Sequence, residues 1–95
     1  MKLIVSPEAA ADLDRLRAFL ADKNPDAAQR AATSLIHAVQ SLDIFPDRGR
    51  QTDIESVREL IVPFGSSAYV LRYAHLPDVD EVVVLRIWHG REQRE

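Results

Sequence analysis

Apolar side chains recur at helical spacing in the first half of the chain and at strand spacing in the second. A short apolar run, Lys2-Leu3-Ile4-Val5, reads as an edge or second strand. Ser6-Pro7-Glu8 then has the make-up of a helix start: a serine to cap, a proline at the first helical position and an acid in the positively polarised first turn. Ala9, Leu13, Leu16 and Leu20 follow at spacings of 4, 3 and 4 with Phe19 beside them, one stripe of an amphipathic helix. Asp12, Asp14, Arg15, Arg17 and Asp22 fall off that stripe and read as its solvated face. Asn24-Pro25-Asp26 repeats the start signal, and Ala28, Ala32, Leu35, Val39 and Leu42 form a second stripe spaced 4, 3, 4 and 3, widened by Ile36. So short a connection makes the two helices antiparallel neighbours.

Phe45-Pro46-Asp47-Arg48-Gly49-Arg50 ends the second helix, and the polar stretch through Ser56 predicts a loop. Val57 to Phe64 predicts a strand, Gly65-Ser66-Ser67 a turn, and Ala68 to Ala74 a further strand with Tyr69, Leu71 and Tyr73 on one face and Val70 and Arg72 on the other. His75 to Asp80 turns into the last strand, Glu81 to His89. That strand barely alternates: strict alternation sets Val83, Leu85 and Ile87 towards the helices and Val82, Val84, Arg86 and Trp88 away from them. Both faces want cover, the pattern of a central strand. The predicted order is β-α-α-β-β-β, an α+β fold with a helical hairpin on one face of a small, mainly antiparallel sheet. No element remains to cover the other face.

Composition narrows the function classes. Ninety-five residues with 46% apolar and 28% charged side chains are expected to form a single domain, 1–95, with one modest core. No apolar run approaches the length of a membrane span and no signal peptide is evident, so a cytoplasmic setting is expected. The absence of cysteine excludes disulfides, thiol catalysis and cysteine-type zinc sites. No metal or other cofactor is expected. A net charge of −3 argues against sequence-specific nucleic-acid binding through a bulk basic field. Lys2 and Lys23 are the only lysines, so the cations are nearly all arginines, suited to bidentate contacts with carboxylates.

Several blocks together resemble the RelE/ParE superfamily of type II toxin–antitoxin systems, closer to its ParE-like branch. They are Ser6-Pro7-Glu8-Ala9 with Asp12-Leu13, Pro46-Asp47-Arg48-Gly49-Arg50, Val57-Arg58-Glu59-Leu60, Tyr69-Val70-Leu71-Arg72-Tyr73 and Val84-Leu85-Arg86-Ile87-Trp88-His89-Gly90-Arg91. The resemblance implies a curved sheet carrying a helical hairpin, a cytoplasmic bacterial toxin, and a cognate antitoxin with an acidic or amphipathic C-terminal segment. ParE-like members inhibit DNA gyrase, whereas RelE-like members cleave messenger RNA on the ribosome. The RelE-like pattern has an arginine where this chain has Val70, and a terminal tyrosine this chain lacks. These departures favour gyrase inhibition over ribosome-dependent RNA cleavage. The further alternative is a non-toxic relative that only forms complexes.

Candidate residues follow from both lines. His89 is a candidate general acid, although no partner base is evident and a strand-end histidine in a local hydrogen bond is the plainer reading. Arg72 and Arg86 are expected on the uncovered face beside Val70, Val82, Val84 and Trp88, with Arg91 just beyond. Together these seven make the expected antitoxin- or target-binding set, with Trp88 as an exposed hot spot. Tyr69 and Tyr73 are expected in the core.

Overall fold

The computed structural model describes residues 1–91; residues 92–95 lie outside the described residues. The observed elements are β1 (Lys2–Val5), α1 (Pro7–Lys23), α2 (Pro25–Ser41), β2 (Arg50–Gln51), β3 (Val57–Phe64), β4 (Ser67–Leu76) and β5 (Glu81–His89), with a 3₁₀ turn over Pro77–Val79. They form a mixed five-stranded sheet, in the order β1-β5-β4-β3-β2, with two helices packed on it. β1 is an edge strand and pairs in parallel with β5, Lys2 opposite Glu81 and Val5 opposite Val84. The other pairings are antiparallel. The two-residue strand β2 falls within the stretch expected to be loop; it docks on Arg58 and Glu59 of β3.

Local chemistry accounts for the joints. Ser6 and Asn24 cap the two helices, accepting from the backbone N–H groups of Ala9 at 3.0 Å and Ala27 at 3.2 Å. Gly65 takes φ +60° at the first central position of the β3–β4 hairpin, where a two-residue turn demands a left-handed residue. Past Val5 the chain leaves the sheet, and Ser6 covers the exposed edge of β5. Its N–H donates to the Val84 carbonyl and its hydroxyl to the Leu85 carbonyl, both at 3.0 Å.

The core lies between sheet and helices, and it corrects the expected facing of β5. Arg72 pairs with Arg86 but Tyr73 pairs with Val84, so Leu85 is an extra residue, a β-bulge. The bulge reverses the alternation. Val82 and Val84 therefore point under the helices with Tyr73, fully buried, rather than onto the open face. Val83 is carried to the opposite side. Tyr69, Leu71 and Ile87 sit in the core as expected. The buried face of α2 is Ala28, Ala31, Leu35, Ala38 and Leu42, one residue round from the expected stripe at two positions, so Ile36 is exposed rather than part of the contact.

Tyr73 also fixes the loop after α2. Its hydroxyl donates to the Pro46 carbonyl at 2.7 Å and accepts from the Gly49 N–H at 2.9 Å. Burial raises its pKa, against the opposing pull of the Gly49 hydrogen bond. A Cβ at Gly49 would lie 2.7 Å from the Tyr73 hydroxyl, closer than atoms pack. Leu16→Ala and Leu35→Ala are each expected to cost about 2–5 kcal/mol, and Gly49→Ala about 1–3 kcal/mol through overpacking. Urea denaturation checks all three, and losses well below 1 kcal/mol for both leucines would contradict this core.

Candidate partner-binding site

The side of the sheet away from the helices carries Val70, Arg72, Arg86 and Trp88, as strand alternation requires on the hairpin side of the bulge. Trp88 is only 3% exposed, which overturns its expected role as an exposed hot spot. The Arg72 guanidinium lies 4.7 Å and that of Arg86 5.4 Å from its ring centroid, both within cation–π range. Two arginines directly opposite one another would repel. Each is neutralised by its own carboxylate. Arg72 donates through Nε at 3.0 Å and Nη2 at 2.7 Å to Glu59, and Arg86 donates through Nε at 2.7 Å and Nη2 at 3.2 Å to the two oxygens of Asp12. Arg50 reaches the second oxygen of Glu59, and Arg15 a Asp12 oxygen. A continuous ladder results, Arg15–Asp12–Arg86–Trp88–Arg72–Glu59–Arg50, running from α1 across the sheet to β2.

Asp12 corrects the sequence expectation most sharply. Read as part of a solvated helix face, it is 5% exposed. Its Oδ2 also accepts the Ile87 N–H at 2.9 Å, an edge group of β5 that β1 is too short to pair. The spacing held a signal: Asp12 stands three residues after Ala9 and four before Leu16, on the buried stripe rather than off it. Burial pushes the Asp12 carboxyl up, but the hydrogen bonds from Arg86, Ile87 and Arg15 outweigh it and hold the pKa below the ordinary value.

The C-terminal half of α1 and the ends of β4 and β5 enclose a groove of about 460 Å³. Leu16, Phe19, Leu20, Tyr69 and His89 line it, with Arg15 and Arg91 at its rim. Phe19 is 62% exposed, and Lys23 Nζ lies 5.2 Å from its ring centroid. An apolar lining with cations beside it fits an acidic segment that carries large apolar side chains. Of the seven expected binding residues, Arg91 alone lines this groove. Phe19, Arg15 and Lys23 were absent from the expected set, although Phe19 was visible in the sequence as a large apolar residue beside the stripe.

His89 occupies the groove wall in a local network. The Arg91 N–H donates to Nδ1 at 3.2 Å, so the neutral ring carries its proton on Nε2, which lies 3.0 Å from Ser67 Oγ. The ring stands edge-on to Tyr69 at 5.5 Å. A second histidine, His75, meets Asp47 at 2.8 Å at the far end of the sheet.

Residues 3–94 match the sequence pattern of the family described as ParE toxin of type II toxin-antitoxin system, parDE. The chain belongs to that family. Similar proteins include Toxin RelE1 of Caulobacter vibrioides, 45% identical over 97% of this chain and 96% of that protein. Toxin RelE3 of the same organism is 39% identical over 95% of each chain. A chain of the chromosomal ParDE TA system from P. aeruginosa has the same fold, with a TM-score of 0.75 over 94% of this chain and 95% of that one, at 24% identity. The chain is thus a toxin of a type II toxin–antitoxin system, and family membership implies a cognate antitoxin. No helix among the described residues is long and apolar enough to cross a membrane.

Asp12→Asn is expected to lower stability at neutral pH by about 1–3 kcal/mol, the cost of leaving charged and backbone donors short of an acceptor. A carboxyl whose folded pKa is depressed contributes fully above its unfolded value, 3.8, and loses that contribution as pH falls through the folded value. The gap between wild type and Asp12→Asn should therefore hold from neutral pH down to about 3.8 and narrow as pH falls from there through the folded value. Denaturation midpoints across this range test the sign; a gap that widens in acid would contradict it.

Proposed function

We propose that this toxin acts by binding DNA gyrase, and that its antitoxin silences it by laying an acidic, amphipathic segment in the groove between α1 and the ends of β4 and β5. The observation that carries the second part is the apolar lining of Leu16, Phe19 and Leu20 beside Arg15 and Arg91, with Lys23 over the Phe19 ring. An apolar side chain of the segment fills the floor beside Phe19, and its carboxylates meet the rim. The sheet face with Val70 and Trp88 contributes through the cationic surplus of its ladder, four arginines against two carboxylates. Val82 and Val84 contribute from beneath, as the core that holds β5 in place.

Binding rather than cleavage is favoured by the chemistry available. Cleavage of RNA by attack of a 2′-hydroxyl needs a base, an acid and cations at the phosphate. His89 has both ring nitrogens engaged, by Ser67 and by the Arg91 N–H. Arg72 and Arg86 are committed to Glu59 and Asp12. Val70 stands where RelE-like enzymes resemble one another in an arginine. The names of the relatives support a second reading, ribosome-dependent cleavage of messenger RNA, because the two quoted above are called RelE toxins.

The readings part in two assays, gyrase supercoiling and messenger RNA cleavage in a translating extract, each with and without antitoxin. Gyrase inhibition relieved by antitoxin is the expected result, and RNA cleavage with untouched supercoiling would reverse the choice. His89→Gln is expected to keep growth arrest within about threefold of wild type, against the loss of about 10²–10⁴ that removing a general acid causes. Phe19→Ala is expected to weaken antitoxin binding by about 2 kcal/mol or more, read by calorimetric titration. Equal affinities with an intact fold would move the antitoxin off the groove.

A further inference from the structure

The groove occupies one end of the molecule, and the opposite end has its own surface chemistry. The five most exposed large apolar side chains among the described residues are Ile44, Phe45, Phe19, Val79 and Ile54, between 59% and 72% exposed. Phe19 belongs to the groove. The other four lie on three connections at the far end of the sheet: Ile44 and Phe45 between α2 and β2, Ile54 between β2 and β3, and Val79 between β4 and β5.

These loops are held in shape rather than left loose. Tyr73 fastens Pro46 and Gly49. Asp47 meets His75, and Arg48 Nη1 donates to Ser41 Oγ at 2.6 Å. Arg58 donates to the Gly49 carbonyl at 2.8 Å, and the His75 N–H to the Ser56 carbonyl at 2.9 Å. Apolar side chains presented on a loop pinned at so many points lose little freedom on binding, the condition that turns contact area into affinity.

The charge around them has an acidic surplus, with Arg48, beside Phe45 and bonded to Ser41, as the cation among the acids. Asp43, Asp53, Glu55 and Asp78 make no ion pair among the described residues. The groove end is bordered by Arg15, Lys23 and Arg91 instead. The two ends therefore differ in charge balance and suit different partners. An apolar surface with acidic borders complements a cationic protein surface with apolar side chains of its own, and enzymes that handle nucleic acid carry such positive surfaces for the phosphate backbone.

We propose that the end carrying Ile44, Phe45, Ile54 and Val79 is the face that engages a cationic, partly apolar surface of the topoisomerase, and that it is separate from the antitoxin groove. The inference rests on the gyrase reading above. It makes silencing by the antitoxin something other than direct competition for one patch, because the two contacts fall at opposite ends of a molecule whose longest extent is 42 Å.

Two exposed-residue variants test it: Ile44→Ser with Phe45→Ser, and Asp43→Asn with Asp53→Asn and Glu55→Gln. Each is compared with wild type in binding of the labelled chain to purified gyrase holoenzyme at several salt concentrations, in supercoiling inhibition, in affinity for the cognate antitoxin and in thermal unfolding. The apolar variant is expected to bind gyrase at least about tenfold more weakly. The charge variant is expected to bind more weakly and with a flatter salt dependence than wild type. Both should keep antitoxin affinity and melting temperature. If wild type binds and inhibits gyrase and both variants do so equally well, this face is not the contact, while the gyrase reading stands. If both variants lose antitoxin affinity in parallel, the two surfaces are one and the separation is wrong. If wild type itself neither binds nor inhibits gyrase, the target reading fails and this inference with it.

Discussion

Asp12 gathers donors from three places: the Arg86 guanidinium, the Ile87 backbone N–H and the Arg15 side chain. The residue thereby joins a helix to a strand edge by charge and by backbone at once. β5 needs such a partner because β1 stops at Val5, leaving the second half of the central strand with one unpaired edge. A buried carboxylate without its cations would be costly, and the cations without it would be left short of an acceptor. The helix, the bulge and the arginines are therefore positioned as a set. Disturbing Asp12 disturbs the seating of α1, the end of β5 and the stack on Trp88 together.

The ladder also explains how a two-layer fold of this size keeps a tryptophan dry. No helix among the described residues covers the second face of the sheet. Arginine stems lie over apolar surface while their heads reach carboxylates at the edges, Glu59 on β3 and Asp12 on α1. Charge neutralisation and burial of the indole are achieved by the same side chains. This leaves the protein a cationic face and a buried aromatic residue, where strand alternation alone suggested an apolar docking patch.

Much of the architecture was legible because it rests on short-range signals. The bounds of β3 and β5 followed from runs of β-branched residues, and both helix starts from a cap followed by proline. The arrangement of the open face was not, for two reasons. The bulge at Leu85 sits inside an unbroken apolar run, and nothing in Val82-Val83-Val84-Leu85 marks where alternation reverses; the weak alternation of the strand was itself the trace of it. Val82 and Val84 left the expected patch with that reversal, and Trp88 stayed on the open face but beneath Arg72 and Arg86. Arg72 and Arg86 were correctly placed on one face, but their partners Glu59 and Asp12 come from other elements, a tertiary fact that strand patterning does not carry. The groove was hidden for a similar reason: its floor joins α1 to the end of β5, and only Arg91 among the expected residues lines it.

The place of β5 in the sheet has a consequence for how the chain comes into being. The strand made last lies between β1 and β4, so the strand made first has no sheet neighbour until Glu81–Val84 exists. Asp12 likewise waits for Arg86, and Ser6 for the carbonyls of Val84 and Leu85. A growing chain can make its helical hairpin and the β3–β4 hairpin, both local, but the layer that joins them closes only when the C-terminal strand arrives. The assembled sheet is thus withheld until β5 has been made. A chain that stops before Glu81 lacks β5 and with it the sheet neighbour of β1, the cation that holds Asp12 and one wall of the groove, so the two layers join in a single late step or not at all.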